Sequence, residues 1–225
     1  KPLKFGTAAV WICFGMGLCV IANAGTSFLV AFFKNLGITL TQGDVAKPNS
    51  IFECILDIIG IAIVPAICEE FAMRCCALGL LKNYGKAFGV VSVSVVFGLL
   101  HGNVIQFIFA FLVGLVLAYI TIKTESIIPA MCIHALNNGM SAVSDTVNYA
   151  AGKEVNVTVG FFAFWLLVGI IATIYLAIKR KLTIPKDDGN CVLTLGEKVS
   201  SFFFPGMILP FIVLIIMTAQ TVKIG

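Results

Sequence analysis

The sequence contains few charged residues. Asp, Glu, Lys and Arg together make up 12% of its 225 residues, whereas hydrophobic residues make up 60% and the mean hydropathy is +1.05. A soluble domain typically carries about 25% charged residues, which it needs to cover its surface. The composition therefore predicts an integral membrane protein, and the net charge of +4 requires no nucleic-acid partner.

A disulfide framework is not indicated either. The eight cysteines include no pair at C-x-x-C spacing, and all of them except Cys191 lie in apolar stretches. A cysteine in such a stretch behaves as a small hydrophobic residue. We therefore expect the cysteines of the apolar stretches to be reduced and to serve in packing.

Apolar stretches of about 20 residues, separated by short polar links, are typical of membrane-spanning helices and not of barrel strands, which alternate in polarity. We predict an all-α, polytopic transmembrane bundle of about seven spans, at residues 5–33, 51–81, 86–101, 104–122, 127–147, 157–178 and 202–218. No internal repeat is visible, so residues 1–225 are expected to form a single domain. Because the sequence starts with Lys1-Pro2 and not with methionine, we expect that a native N-terminal part, such as another helix, is missing.

The basic residues orient these spans. Ten lie on the N-terminal side of the predicted topology: Lys1, Lys4, Lys82, Lys86, Lys123, Lys179, Arg180, Lys181, Lys186 and Lys198. Four lie on the other side: Lys34, Lys47, Lys153 and Lys223. Because cytoplasmic loops carry the excess of Lys and Arg, we predict that the N-terminus is cytoplasmic. We expect a multi-pass protein of a bacterial plasma membrane.

The second span contains ionisable residues that are out of place in apolar surroundings. Its segment 65–74 reads P-A-I-C-E-E-F-A-M-R, and charged side chains inside a span are costly enough to indicate function. Glu70 and Arg74 are four residues apart and should pair on one helical face. Glu69 is turned by about 100° from Glu70, which makes it the better candidate for a base.

Other polar residues are predicted at a similar depth. Counted at about 1.5 Å per residue from the nearest cytoplasmic marker, Glu69, His101 and Asn138 lie roughly 20 Å inward and His134 roughly 14 Å inward. His134 and Asn138 are four residues apart and share a face, and Phe97 stands four residues before His101 and should pack against its ring. Taken singly, each residue has a structural alternative, such as an interhelical hydrogen bond. Their grouping favours one shared site.

Three sequence motifs resemble the signatures of a known protein family. E-E-F-A-M-R at 69–74, F-G-L-L-H at 97–101 and H-A-L-N-N at 134–138 resemble the signatures E-E-x-x-x-R, F-x-x-x-H and H-x-x-x-N. These signatures characterise the CAAX-protease and bacteriocin-processing family of intramembrane endopeptidases, also called Abi or CPBP. Their order and spacing match, and the resemblance covers roughly residues 60–140.

The resemblance implies a protease that cuts peptides within or beside the membrane. By position, Glu69 would be the general base acting with His101 on a water molecule, and His134 with Asn138 would stabilise the oxyanion. Glu70 with Arg74 would brace the helix. The implied partners are a membrane-associated peptide or protein substrate and the lipid bilayer.

Alternatives remain open at this point. The family has also been described as metalloproteases, and Glu69, His101 and His134 could supply three zinc ligands, although the sequence has no H-E-x-x-H. We favour the metal-free glutamate mechanism, which requires no cofactor. A proton-coupled transporter would more often show repeated halves. A non-catalytic, peptide-binding protein of bacteriocin self-immunity or regulation is a further alternative, and a nucleophilic Cys132 or Ser141 lacks a convincing base.

Overall fold

The structure, a computed structural model, describes residues 3–41, 47–187, 193–201 and 205–224. The chain is 80% helical and all-α, as the composition predicts. Two three-residue strands, β1 (Ile38–Leu40) and β2 (Val222–Ile224), pair antiparallel with Thr39 opposite Lys223. The described residues contain eight helices: α1 (Phe5–Asn35), α2 (Ile51–Tyr84), α3 (Lys86–Leu99), α4 (Val104–Thr124), α5 (Ile128–Ala151), α6 (Val157–Ile178), α7 (Leu195–Ser201) and α8 (Pro205–Ala219).

Within the described residues, four helices are long and apolar enough to cross a membrane, namely α1, α2, α4 and α6. The predicted count of seven spans is therefore not confirmed. Helix α3 has 14 residues and extends about 21 Å, short of a hydrocarbon core of about 30 Å. Helix α8 has 15 residues. Helix α5 has 24 residues, but they include His134 and Asn138 of the third motif and several further polar side chains.

Helix α2 carries the acidic motif and departs from regular α-helical geometry on both sides of it. The helix is capped by Ser50, whose Oγ accepts from Glu53 N at 3.1 Å, and Glu53 Oε2 accepts from the N–H of Asn49, one residue before the cap, at 2.6 Å. Two stretches, Ile58–Ile63 and Phe71–Ala77, are π-helical. The first ends just before Pro65, whose ring and missing N–H disturb the preceding turn. The Glu pair thus sits in a short α-helical piece between two widened turns.

The chain divides into two compact units. The first comprises Lys1–Ile21, Asp44–Cys75 and Ile120–Thr183, and the second comprises Ala22–Gly43, Cys76–Tyr119 and Ile184–Gly225. The single domain expected over residues 1–225 stays a prediction.

In the first unit, α5 packs along the Ile58–Ile63 part of α2. A Cβ atom added to Gly139 of α5 would lie 3.5 Å from Ala62 Cβ, which is ordinary contact distance. The α1 and α6 backbones approach still more closely, because a Cβ atom on Gly17 would lie 2.8 Å from Gly169 Cα. Small residues at such a crossing allow close van der Waals packing between membrane helices.

In the second unit, α3 and α4 are joined by a tight turn. Gly102 has a φ of 67° in this turn, a conformation that glycine adopts without steric cost. Asn103 then caps α4, since its Oδ1 accepts from Gln106 N at 2.8 Å. The helices also approach closely at Gly114, where an added Cβ atom would lie 3.2 Å from Ser94 Cα.

The cysteines of the described residues are all free thiols, as predicted. Cys19 and Cys54 are buried, as the expected packing role requires, whereas Cys68, Cys75 and Cys76 are exposed on the surface of the protein, so that expectation is wrong for these three. Cys191 lies outside the described residues.

Candidate active site

Glu70 and Arg74 form a buried ion pair on α2. Arg74 Nε lies 3.1 Å from Glu70 Oε2, and both side chains are completely shielded from the exterior of the protein. The pairing predicted from the four-residue spacing is therefore confirmed. Removing either partner of such a buried pair would leave a charge in apolar surroundings, which is far more costly than keeping the two together.

His134 brings α5 to the same carboxylate. Its Nδ1 atom lies 2.9 Å from Glu70 Oε1, and its side chain is only 6% exposed. Glu70 thus uses one carboxylate oxygen for Arg74 on its own helix and the other for His134 on a neighbouring helix. This bridge locks α5 to α2 at the depth of the acidic motif.

The bridge determines which histidine nitrogen carries a proton. Glu70 faces the guanidinium of Arg74, so its ionised carboxylate accepts hydrogen bonds and cannot donate them. The Nδ1 atom of His134 is therefore protonated and donates to Glu70. The Nε2 atom points to the other side of the ring, 3.9 Å from Glu69 Oε2.

Glu69 differs from Glu70 in its exposure. The Glu69 side chain is 43% exposed, whereas the Glu70 side chain is 0% exposed. Its distance of 3.9 Å from His134 Nε2 is longer than a hydrogen bond. Among the described residues, the Glu69 carboxylate receives no hydrogen bond, so it remains accessible to a reacting molecule.

Asn138 contacts α2 one helical turn beyond His134. Its Nδ2 atom donates to the backbone carbonyl of Ile61 at 3.2 Å. In a regular α-helix this carbonyl would accept from the N–H four residues later, but that position is Pro65, which has no N–H. Asn138 therefore donates to a carbonyl that the N–H four residues later, absent in Pro65, cannot serve, and its Oδ1 accepts from Asn137 Nδ2 at 3.3 Å.

His101 and Phe97 belong to the second unit. His101 Nδ1 lies 2.8 Å from the Phe97 carbonyl, and the two rings make an edge contact with centroids 5.1 Å apart. The ring contact expected from the four-residue spacing is therefore present. Because a carbonyl only accepts, Nδ1 of His101 carries a proton, and in the neutral ring Nε2 is then the acceptor.

A metal centre was one hypothesis for these residues. Within the described part of the chain, no three His, Cys, Asp or Glu side chains form a group that could hold a metal ion. In the first unit, Glu70 is occupied by Arg74 and His134.

Sequence spacing alone missed two of these contacts. Spacing within a helix predicted the pair of Glu70 and Arg74, but it contains no information on which α5 residue meets Glu70. The contact of Asn138 with Ile61 had a partial signal, because Pro65 identifies the carbonyl four residues earlier as the one lacking a helical donor. The sequence does not show that Asn138 is the side chain that donates to this carbonyl.

One comparison with known families gives a match. Residues 51–140 match the family model described as Rce1-like, type II CAAX prenyl endopeptidase. This segment contains all three sequence motifs, from Glu69 to Asn138. No curated protein and no solved structure matches the chain.

Proposed function

We propose that the chain, whose residues 51–140 match the Rce1-like family model, hydrolyses peptide bonds within or beside the membrane by a metal-free glutamate mechanism. The family implies a protease, and the apolar helices fit a substrate embedded in the membrane. The proposal concerns which residues perform the reaction and how.

One observation carries the assignment of the base. Two adjacent glutamates lie in contact with one histidine, yet Glu70 is completely buried and bonded, whereas Glu69 is 43% exposed and receives no hydrogen bond among the described residues. A general base must be able to reach the proton that it removes. Glu69 meets this requirement and Glu70 does not.

The proposed reaction begins with a water molecule. Glu69 removes a proton from the water while the water oxygen bonds to the scissile carbonyl carbon, and the carbonyl oxygen becomes an oxyanion. The proton held by Glu69 then passes to the leaving nitrogen as the C–N bond breaks, which restores the carboxylate. His101 is assigned to water activation by its sequence motif, and its Nε2, as the acceptor in the neutral ring, suits that role.

His134 and Asn138 are proposed to stabilise the oxyanion. In this role the Nε2 side of the His134 ring faces the oxyanion, while Nδ1 on the other side donates a hydrogen bond to Glu70. The Asn138 amide has two N–H groups, and only one of them is needed for Ile61. Preorganised donors of this kind typically contribute a few kcal/mol of transition-state stabilisation.

Glu70 and Arg74 support this arrangement without touching the substrate. The Glu70 carboxylate fixes the orientation of the His134 ring through the 2.9 Å contact at Nδ1, and Arg74 Nε holds the other Glu70 oxygen at 3.1 Å. A donor whose orientation is already fixed by another hydrogen bond needs no reorganisation when negative charge develops on the substrate oxygen.

We further propose a membrane-associated peptide or protein as the substrate and a bacterial plasma membrane as the location. The excess of Lys and Arg on one side of the predicted spans supports a cytoplasmic N-terminus.

The test is cleavage of a membrane-anchored peptide by purified protein in liposomes. We expect the double variant His134→Ala, Asn138→Ala to lose activity, with Ser141→Ala as a matched control on the same helix. Ser141 is exposed and donates only to the Asn138 backbone carbonyl, so its variant should cleave at the wild-type rate. Full activity in the double variant would refute the proposed site, and loss in Ser141→Ala would revive a serine nucleophile.

A further inference from the structure

The second unit contains a cavity of about 500 Å³. Its lining comes from the C-terminal part of α1 and the first turns of α4. On α1, the lining residues Thr26, Val30 and Lys34 are four residues apart in turn, so they share one helical face. Ser27 also lines the cavity and lies three residues before Val30. On α4, the lining includes Gln106 and Phe109.

Thr26 has an unsatisfied hydroxyl group in this wall. The residue is only 6% exposed, and its Oγ1 has no hydrogen-bond partner among the described residues. Threonines in other helices donate to the carbonyl four residues earlier, as Thr146 of α5 does to Ala142 at 2.8 Å and Thr173 of α6 does to Gly169 at 2.7 Å. A buried hydroxyl without a partner is unfavourable, so a ligand oxygen in the cavity would relieve it.

The charge of the cavity favours an anion. Lys34 is the charged residue of the lining, and the sequence contains no Asp or Glu between residues 5 and 43 or between residues 76 and 119. The first turn of α4 adds the partial positive charge of a helix N-terminus. Gln106 Oε1 accepts from Asn103 Nδ2, so the amide nitrogen is the end of Gln106 that can donate to a ligand.

The position of the cavity along the helices indicates which anion. Lys34 lies in the last turn of α1. Gln106 lies eighteen residues before Thr124, the last residue of α4, which corresponds to about 27 Å. That length is close to the thickness of a hydrocarbon core. The cavity therefore lies near one membrane interface, where phospholipid headgroups are located.

We propose that this cavity binds one anionic phospholipid. Lys34 holds the headgroup phosphate, with the Gln106 amide as a second donor. Thr26 lies two turns deeper. Because helical side chains lean toward the helix N-terminus, the Lys34 ammonium reaches back toward Thr26. The Thr26 hydroxyl donates to an ester carbonyl of the same lipid, and one acyl chain packs on Val30 and Phe109. The site is independent of the proposed protease chemistry.

The proposal is tested by native mass spectrometry of the full chain in detergent. Phosphatidylglycerol and phosphatidylcholine with identical acyl chains are titrated separately, and inorganic phosphate forms a third arm. We expect one phosphatidylglycerol per protein, bound about tenfold or more tightly than phosphatidylcholine, because a charge-assisted contact to the headgroup is lost with the wrong lipid. Binding of inorganic phosphate at the same strength as the lipid would overturn the lipid assignment.

Two variants distinguish the contact of Lys34 with the headgroup from the contact of Thr26 with the ester carbonyl. Lys34→Gln should remove the preference for phosphatidylglycerol, whereas Lys153→Gln, an exposed lysine after another helix, should retain it. Thr26→Val should weaken both lipids several-fold and equally, because both contain ester carbonyls, and it should raise the melting temperature of the lipid-free protein by removing an unsatisfied hydroxyl. An unchanged lipid preference in Lys34→Gln, or unchanged lipid binding in Thr26→Val, would refute the proposal.

Discussion

The two adjacent glutamates should differ sharply in their contribution to stability. Glu70→Gln removes the anion that faces Arg74 at 3.1 Å in a fully buried pair, while the new amide oxygen can still accept from His134. Breaking a buried pair on one side typically costs about 3–5 kcal/mol. For a chain of this length, that loss corresponds to a decrease in melting temperature of about 6–20 °C.

Glu69→Gln is the matched comparison, because it makes the same chemical change one residue earlier. The Glu69 side chain is 43% exposed and lies 3.9 Å from His134 Nε2. Screening limits such a contact to less than about 1 kcal/mol, so the melting temperature should change little.

The assay is thermal unfolding in detergent micelles, followed by the fluorescence of an environment-sensitive thiol dye or by circular dichroism. A further variant, Glu70→Gln combined with Arg74→Met, should recover much of the lost stability, because it removes the buried cation as well. Equal losses from Glu69→Gln and Glu70→Gln would contradict the division of roles, as would a double variant no more stable than Glu70→Gln alone.

Three other predictions follow from the same contacts. Asn138→Ala should lower turnover by about 10²–10³-fold with little change in KM, measured by peptide cleavage, since its donor acts mainly in the transition state; an effect on KM alone would argue against that role. Exhaustive chelation should leave activity intact, and loss of activity with recovery on added zinc would replace the glutamate mechanism by a zinc mechanism. Gly17→Ala should lower the melting temperature, because the added Cβ would meet Gly169 Cα at 2.8 Å, whereas Gly25→Ala, with no heavy atom within 4 Å of its added Cβ, should not; equal effects would contradict the close crossing.

Much of the helical architecture could be predicted because it depends on composition. Runs of apolar residues predict helices wherever they are long enough, and α1, α2, α4 and α6 all qualify. The count of spans was less predictable, because α3 is short and α5 mixes apolar and polar residues. Hydropathy reports how a segment would partition into lipid, whereas half of the α3 residues are buried inside the protein.

The candidate site divides in the same way between local and distant information. The ion pair of Glu70 and Arg74 follows from helical periodicity, and so does the contact of Phe97 with His101. The contact of Glu70 with His134 joins residues 64 positions apart, and its existence depends on how α5 packs on α2. Periodicity within each helix cannot give the register between them.

The central claim is that Glu69 is the catalytic base. The most direct measurement is the single-turnover cleavage rate of Glu69→Gln in liposomes, with the melting temperature recorded on the same preparation and Glu154→Gln, a 90% exposed carboxylate, as the control. We predict that Glu69→Gln melts like the wild type and loses about 10²–10⁴-fold in rate, the range expected for removal of a general base. A folded Glu69→Gln protein that cleaves the peptide at the wild-type rate would contradict the claim.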